Sequence, residues 1–459
     1  RDADGALFPY ETVDRLHDAH HHTGPITLLR VRRGRGPARV WQPLSARSAE
    51  DPQVERRLYK NVLGNRLVFE EVHLGLGLAF RYRWAAADGL GWVRTATLEN
   101  LGRGAVAIEL LDGLRNLLPW GAPLALYQQS SCLVDAYKRS DLDAATGLGV
   151  FSLTTQITDR AEAAERLRAN VAWCHGLPAA EPTLSLDAVA AFRRGEAIPR
   201  AAVLTGERCN YLVTARLGLP AGGRARWHLI ADVGRSHAQV AALRARLRDG
   251  GELAAAIEAD LDAGSEALRR NVASADGLQL TGHAEAAAHH FANVLFNNMR
   301  GGVFAFGHDV PLADLVDLVG VRDRAAARRH RAALQALPER LPVDELLRTV
   351  AAWHDPDLLR LAYEYLPLTF GRRHGDPSRP WNRFSIRVRN ADGTRALAYE
   401  GNWRDIFQNW EALCASFPAF LPGVVARFVN ASTADGFNPY RIERDGIDWE
   451  VLDPRDPWG

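Results

Sequence analysis

The chain has 459 residues, 47% hydrophobic and 24% charged, which is long enough for two or more domains with ample core. Its 56 basic side chains against 55 acidic ones leave a formal charge of +1, so there is no electrostatic case for a nucleic-acid partner or an anionic membrane surface. Four dispersed cysteines, Cys132, Cys174, Cys209 and Cys414, argue for neither a disulfide framework nor a zinc site, and no apolar run approaches the ~18 residues of a membrane span.

Residues 1 to 60 carry turn signals and a basic patch, Arg30 to Gly36, which is expected to be a solvated loop. His17, His20, His21 and His22 cluster without a carboxylate or cysteine pattern, so a surface group is expected and no metal. From about 66 to 235 the text turns to short alternating runs: Leu78 to Trp84, Trp92 to Leu98, Val106 to Leu111, Gly149 to Thr154, Ala169 to Cys174, Tyr211 to Leu217 and Arg226 to Ala231. Runs at this spacing, parted by Gly, Asn and Asp, predict an antiparallel β-sandwich over 1–235, with Tyr82, Trp84 and Trp92 in its core. Helical patterns follow. Ala238–Arg248 and Leu253–Val272 predict a linker over 236–282. Ala284–Met299, Leu312–Leu318, Arg322–Ala336, Val343–Trp353 and Pro356–Tyr363 predict a helical domain over 283–459. A change from strands to helices implies separate β and α layers, not an α/β sheet.

Three stretches carry chemistry. Leu366–Phe384 is a long loop broken by Pro377 and Pro380, with Arg372, Arg373, His374, Asp376 and Trp381. Guanidinium groups hold carboxylates, sugar hydroxyls or phosphate, and long loops of this kind are usually functional. Tyr399–Glu411 holds Trp403, Asp405, Asn409 and Glu411, and from Ile406 on it reads as an amphipathic helix with Phe407, Trp410, Leu413, Cys414 and Phe417 on its apolar stripe. Asp435–Glu450 ends with Asp448 and Glu450 around Trp449. Tryptophan faces beside carboxylates and amides suit a sugar; a capped helix with core tryptophans is the plainer reading of Tyr399–Glu411.

A β-sandwich, a helical linker and a helical domain with Trp-, Asp-, Glu- and Arg-bearing loops resembles the six-hairpin (α/α)6-barrel glycosidases, which include cellobiose phosphorylase. Within the superfamily the chain is similar to a group of large bacterial proteins. Trp92–Gly102 with Leu111–Pro119 looks like the N-terminal domain of those enzymes. Trp403 and Asp405 fall on the Trp and final Asp of an Asp-Trp-Asn-Asp-Gly motif, with Asn402, Arg404 and Ile406 in the other three places. The resemblance implies an oligo- or polysaccharide substrate and no cofactor; a cytoplasmic location is a separate expectation. The resemblance further implies cleavage with inversion, Asp405 as general acid and Glu450 or Asp448 as base. A phosphorylase using inorganic phosphate and a non-catalytic sugar-binding protein are the alternatives. Because a closed barrel needs well over about 200 residues, residues 283–459 are expected to be the first part of one.

Overall fold

The computed structural model describes residues 6–9, 13–122, 124–157, 161, 167–369, 390, 394–444 and 447–448. It is a mixed β and α structure, with antiparallel sheets first and helices after them, as expected. Two compact units divide between Ala267 and Leu268, inside the helix Leu253–Ala273.

In the first unit a nine-stranded sheet faces a five-stranded one. The five-stranded sheet is built on the strand Val106–Leu117, which pairs with Gly24–Arg32 on one side and Cys209–Leu219 on the other. The larger sheet centres on Arg224–Ser236, Gly91–Asn100 and Leu78–Ala87. Their inner faces meet in a core that includes Leu29, Leu110 and Val213 from one sheet and Phe80, Leu98 and Trp227 from the other. Alternation along each strand puts every second side chain there.

Three expectations for this unit need correction. The N-terminal sixty residues are not all turns: they hold the strands Gly24–Arg32, Arg39–Trp41 and Val54–Lys60. The first of these is apolar on both faces. Leu29 and Val31 enter the sandwich core, while Ile26 and Leu28 pack under the helix Ala188–Arg194, so alternation is absent. The basic patch is a solvated loop only in its second half, where Gly34, Arg35 and Gly36 lie exposed in a turn. Arg30 and Arg32 lie in that strand, and Arg33 donates to the Leu76 carbonyl at 2.7 Å and to Asn100 Oδ1 at 2.8 Å, tying a turn to the sheet. Trp92 is 48% exposed, whereas Tyr82 and Trp84 pack against the core.

Among its described residues the second unit is helical, with three small sheets. Its core gathers Phe304, Leu315, Leu346, Leu361, Tyr365, Trp410 and Phe420. The predicted helix 322–336 is broken in two, Arg324–Arg329 and Arg331–Gln335. Asp323 caps the first by accepting the amides of Ala325 and Ala326 at 2.8 and 2.9 Å. His330 stands at the break, its Nε2 2.8 Å from Asp355 Oδ2. Phe304 pairs with Leu368 and the Ala305 amide donates to the Pro367 carbonyl at 3.1 Å, so the segment between them leaves and returns through one narrow neck.

Candidate active site

The strand Glu400–Asn402 turns directly into the helix Trp403–Ser416. Gly401 permits the turn, because a Cβ there would lie 2.4 Å from Ile406 Cδ1. Ile406, Trp410, Leu413, Cys414 and Phe417 form the buried stripe, as their spacing predicts, but Phe407 is 44% exposed. Trp410 is locked by its Nε1–H donating to the Gly301 carbonyl at 2.8 Å. Asn402, 7% exposed, takes the N-cap position without capping the backbone with its side chain. Its Nδ2 instead reaches Asp405 Oδ2 at 3.4 Å, which orients the carboxylate in the first turn.

Trp403 is half-buried, with its ring edge-on to Phe428 at 4.7 Å, and its amide donates to the Tyr440 carbonyl at 3.1 Å. That bond joins the helix start to the closing stretch. There Glu400–Asn402, Arg441–Glu443 and Ile447–Asp448 form an antiparallel sheet in which Arg441 lies between Asn402 and Asp448. Two strand spacings of about 4.8 Å put the Asp448 backbone roughly 10 Å from Asn402. Arg441 also pairs with Glu400 at 2.6 Å. The fold therefore brings the Asp405 corner and the Asp448 backbone into one sheet.

Other predicted site residues fare differently. Asn409 is 4% exposed and donates to Asn297 Oδ1 at 2.8 Å, so it braces the helix Ala284–Gly301 from inside. Burial keeps its side chain from meeting a sugar directly. Glu411 is exposed, but six residues along a helix carry it about 9 Å and 120° away from Asp405. Arg372, Arg373, His374, Asp376, Trp381 and Glu450 lie outside the described residues, and Asp448 is described for its backbone alone.

Sequence reasoning missed two ionic groups, one buried and one half-buried. Glu364, 6% exposed, receives Arg360 at 3.0 Å, Asn430 at 2.9 Å and Arg427 at 3.3 Å. Asp314 accepts Tyr365 Oη–H and Arg444 Nη2–H, each at 2.7 Å. Burial raises the Asp314 carboxyl above its ordinary range, against the pull of Tyr365 and Arg444. Arg360 is a local partner, four residues from Glu364, but Arg427, Asn430 and Arg444 come from far along the sequence and nothing local announces them. Together they clamp the segment beyond the Phe304–Leu368 neck to the residues that follow the site helix. Among the described residues no cluster of His, Cys, Asp or Glu has the makings of a metal site.

Residues 304–367 match the sequence model of glycoside hydrolase family 149 insertion domain 1. That stretch is 64 of the 459 residues. Its limits coincide with the neck at Phe304 and Leu368. The resemblance to the glycosidase superfamily and the reading as a glycosidase-like enzyme are thereby supported from outside the motifs that suggested them. Comparison with curated proteins finds no match. Among solved structures, a bacterial glucoamylase complexed with acarbose overlaps 77% of this chain and 51% of its own, at 9% identity and TM-score 0.34. A candidate kojibiose phosphorylase from the human microbiome overlaps 63% and 35%, at 8% identity and TM-score 0.29. A polysaccharide lyase overlaps 50% and 29%, at 13% identity and TM-score 0.23. The chain thus spans about half or less of these proteins, and overlaps this loose do not define its fold. Among the described residues no helix is long and apolar enough to cross a membrane.

Proposed function

We propose that this protein cleaves glycosidic bonds in an oligo- or polysaccharide, with inversion at the anomeric carbon. The observation that carries the reading is the family 149 domain at residues 304–367, set in the same unit as the Asn402–Asp405 corner. The helices of that unit belong, in this reading, to an (α/α)6 barrel whose loops hold the substrate. Asp405 protonates the leaving oxygen. Asp448 or Glu450 activates water from the opposite face, with carboxyls roughly 6.5–9.5 Å apart to leave room for it. Trp403 and Trp381 stack on pyranose faces, and Arg372, Arg373, His374 and Asp376 take hydroxyls, while Glu411 points away from Asp405 and takes no part. Asn409 acts from behind, keeping the site helix in place.

Phosphorolysis is the second reading. Arg372, Arg373 and His374 favour it, because a guanidinium fork suits phosphate and inorganic phosphate would then replace the water and the base. One experiment addresses both. The full-length protein and its Asp405→Asn variant are given a panel of oligosaccharides, with and without phosphate, and the anomer released is followed by NMR. Turnover is expected in the parent protein, with the inverted anomer first, and none in the variant, which still binds sugar. Sugar phosphate formed only with phosphate present selects phosphorolysis. Retained turnover in Asp405→Asn removes that residue from the mechanism, and tryptophan-dependent binding with no turnover leaves a non-catalytic sugar-binding protein.

A further inference from the structure

We propose that the β-sandwich unit holds a second ligand site, a cavity that binds a carbohydrate-derived oxyanion such as a sugar phosphate or a uronate. The cavity measures about 1090 Å³, at the upper end of small-molecule pockets and roomy enough for a mono- or disaccharide. It opens beside the strand Gly24–Arg32, and this inference does not depend on the site at Asp405.

Charge is the first argument. Arg39, Arg47, Arg115 and Arg193 line the cavity against one carboxylate, Asp51. Arg94 lines it too, but Asp112 neutralises that side chain at 2.8 Å. Among the described residues no carboxylate pairs with the other four arginines. Arg193 donates to the neutral amide of Gln42 at 2.8 Å. Arg115 is 8% exposed, and its bonds go to carbonyl oxygens: His21 at 2.6 Å, His20 at 2.9 Å, Thr23 and Gly24 at 3.4 Å. Buried charges ordinarily have a counter-charge. Burial first, and the positive charge of Arg193 second, push the Arg115 guanidinium down to about 10. A bound anion relieves both effects.

Construction is the second. Glu71, fully buried, accepts Trp41 Nε1–H and the Leu44 amide at 2.7 Å, Ser48 Oγ–H at 2.9 Å and Arg56 at 2.8 Å. One carboxylate therefore fixes the whole cavity rim from Trp41 to Ser48. Leu44, on that rim, sits at φ 59°, a left-handed conformation that a branched residue adopts only when its surroundings impose it. Trp41 and Tyr82, packed into the sandwich core, close the cavity's floor, and the arginines supply the anion contact. The structure thus presents a braced, cationic concavity.

The test is calorimetric titration of the full chain at low salt with glucose 6-phosphate, glucuronate, inorganic phosphate and neutral glucose. Glucose 6-phosphate or glucuronate should bind about tenfold or more tightly than glucose and more tightly than inorganic phosphate, and added salt should weaken it. The ligand bound best identifies the source of the anion. Arg39 and Arg193 are exposed, so an Arg39→Gln/Arg193→Gln double variant should keep its unfolding temperature while losing about tenfold in affinity. Glucose binding as tightly as the anions, no binding by any of the four, or unchanged affinity in the double variant would overturn the proposal. So would anion binding that survives in the double variant and disappears in Asp405→Asn, which would place it in the helical unit.

Discussion

Burial, more than distance, should decide what an ion pair contributes to this fold. Arg94–Asp112 and Arg194–Glu196 have nearly the same length, 2.8 and 2.7 Å, but the first pair is 1% and 0% exposed and the second 58% and 53%. Asp112 also accepts Thr27 Oγ1–H at 2.7 Å and Trp227 Nε1–H at 2.6 Å, so three strands meet on one carboxylate. Asp112→Leu leaves the Arg94 guanidinium buried without a counter-charge, a loss of about 3–5 kcal/mol. The stranded Trp227 N–H adds about 1–3 kcal/mol. Adding Arg94→Met removes the charge and keeps a stem against Tyr82, whose ring lies 4.5 Å from the guanidinium. The double variant should therefore recover about 3 kcal/mol relative to Asp112→Leu alone, leaving mainly the cost of the orphaned indole. For a unit of this size that is on the order of 10 °C in the sandwich transition by differential scanning calorimetry. Glu196→Leu should leave that transition where it is, since water screens the pair. An Asp112→Leu/Arg94→Met protein no more stable than Asp112→Leu, or an equal loss from Glu196→Leu, would refute the argument.

In the helical unit, Trp410→Ala should cost about 3–5 kcal/mol, because it empties a site 1% exposed and frees the Gly301 carbonyl; urea unfolding measures it. His228 gives a pH signature in the sandwich. Burial, assisted by Arg226, lowers it to about 4, so the native state holds it neutral where the unfolded chain would take a proton. That contribution is present above about pH 6.5 and is lost as pH falls toward 4, a change on the order of 3 kcal/mol. Thermal melts of His228→Gln across this window should be correspondingly flatter than those of the parent, and parallel curves would remove His228 as the cause.

Much of the architecture was legible from local pattern. Period-two alternation located most strands between residues 66 and 236, and helical spacing located most helices, since each depends on which face of one element meets the core. The buried stripe of Trp403–Ser416 could be read the same way, except at Phe407, where position on the surface rather than spacing decides exposure. The strand Gly24–Arg32 escaped because burial on both faces erases alternation. The break at His330, whose ring meets Asp355, 25 positions away, interrupts a pattern that reads as one continuous helix.

Residue types alone also pointed to the stretches where aromatics and carboxylates gather, Tyr399–Glu411 and Asp435–Glu450. Folding decided what each residue there can do. Asn409 was drawn inward to Asn297, Glu411 was turned away from Asp405, and Arg441 was set in register between Asn402 and Asp448. The Arg427–Glu364 and Arg444–Asp314 pairs, and the arginine-lined cavity of the sandwich, join segments 63 to 154 positions apart. A sequence records the charge of each of these groups. Whether that charge ends up paired, buried or facing a cavity depends on which distant strand or helix arrives beside it, and only the tertiary structure brings them there.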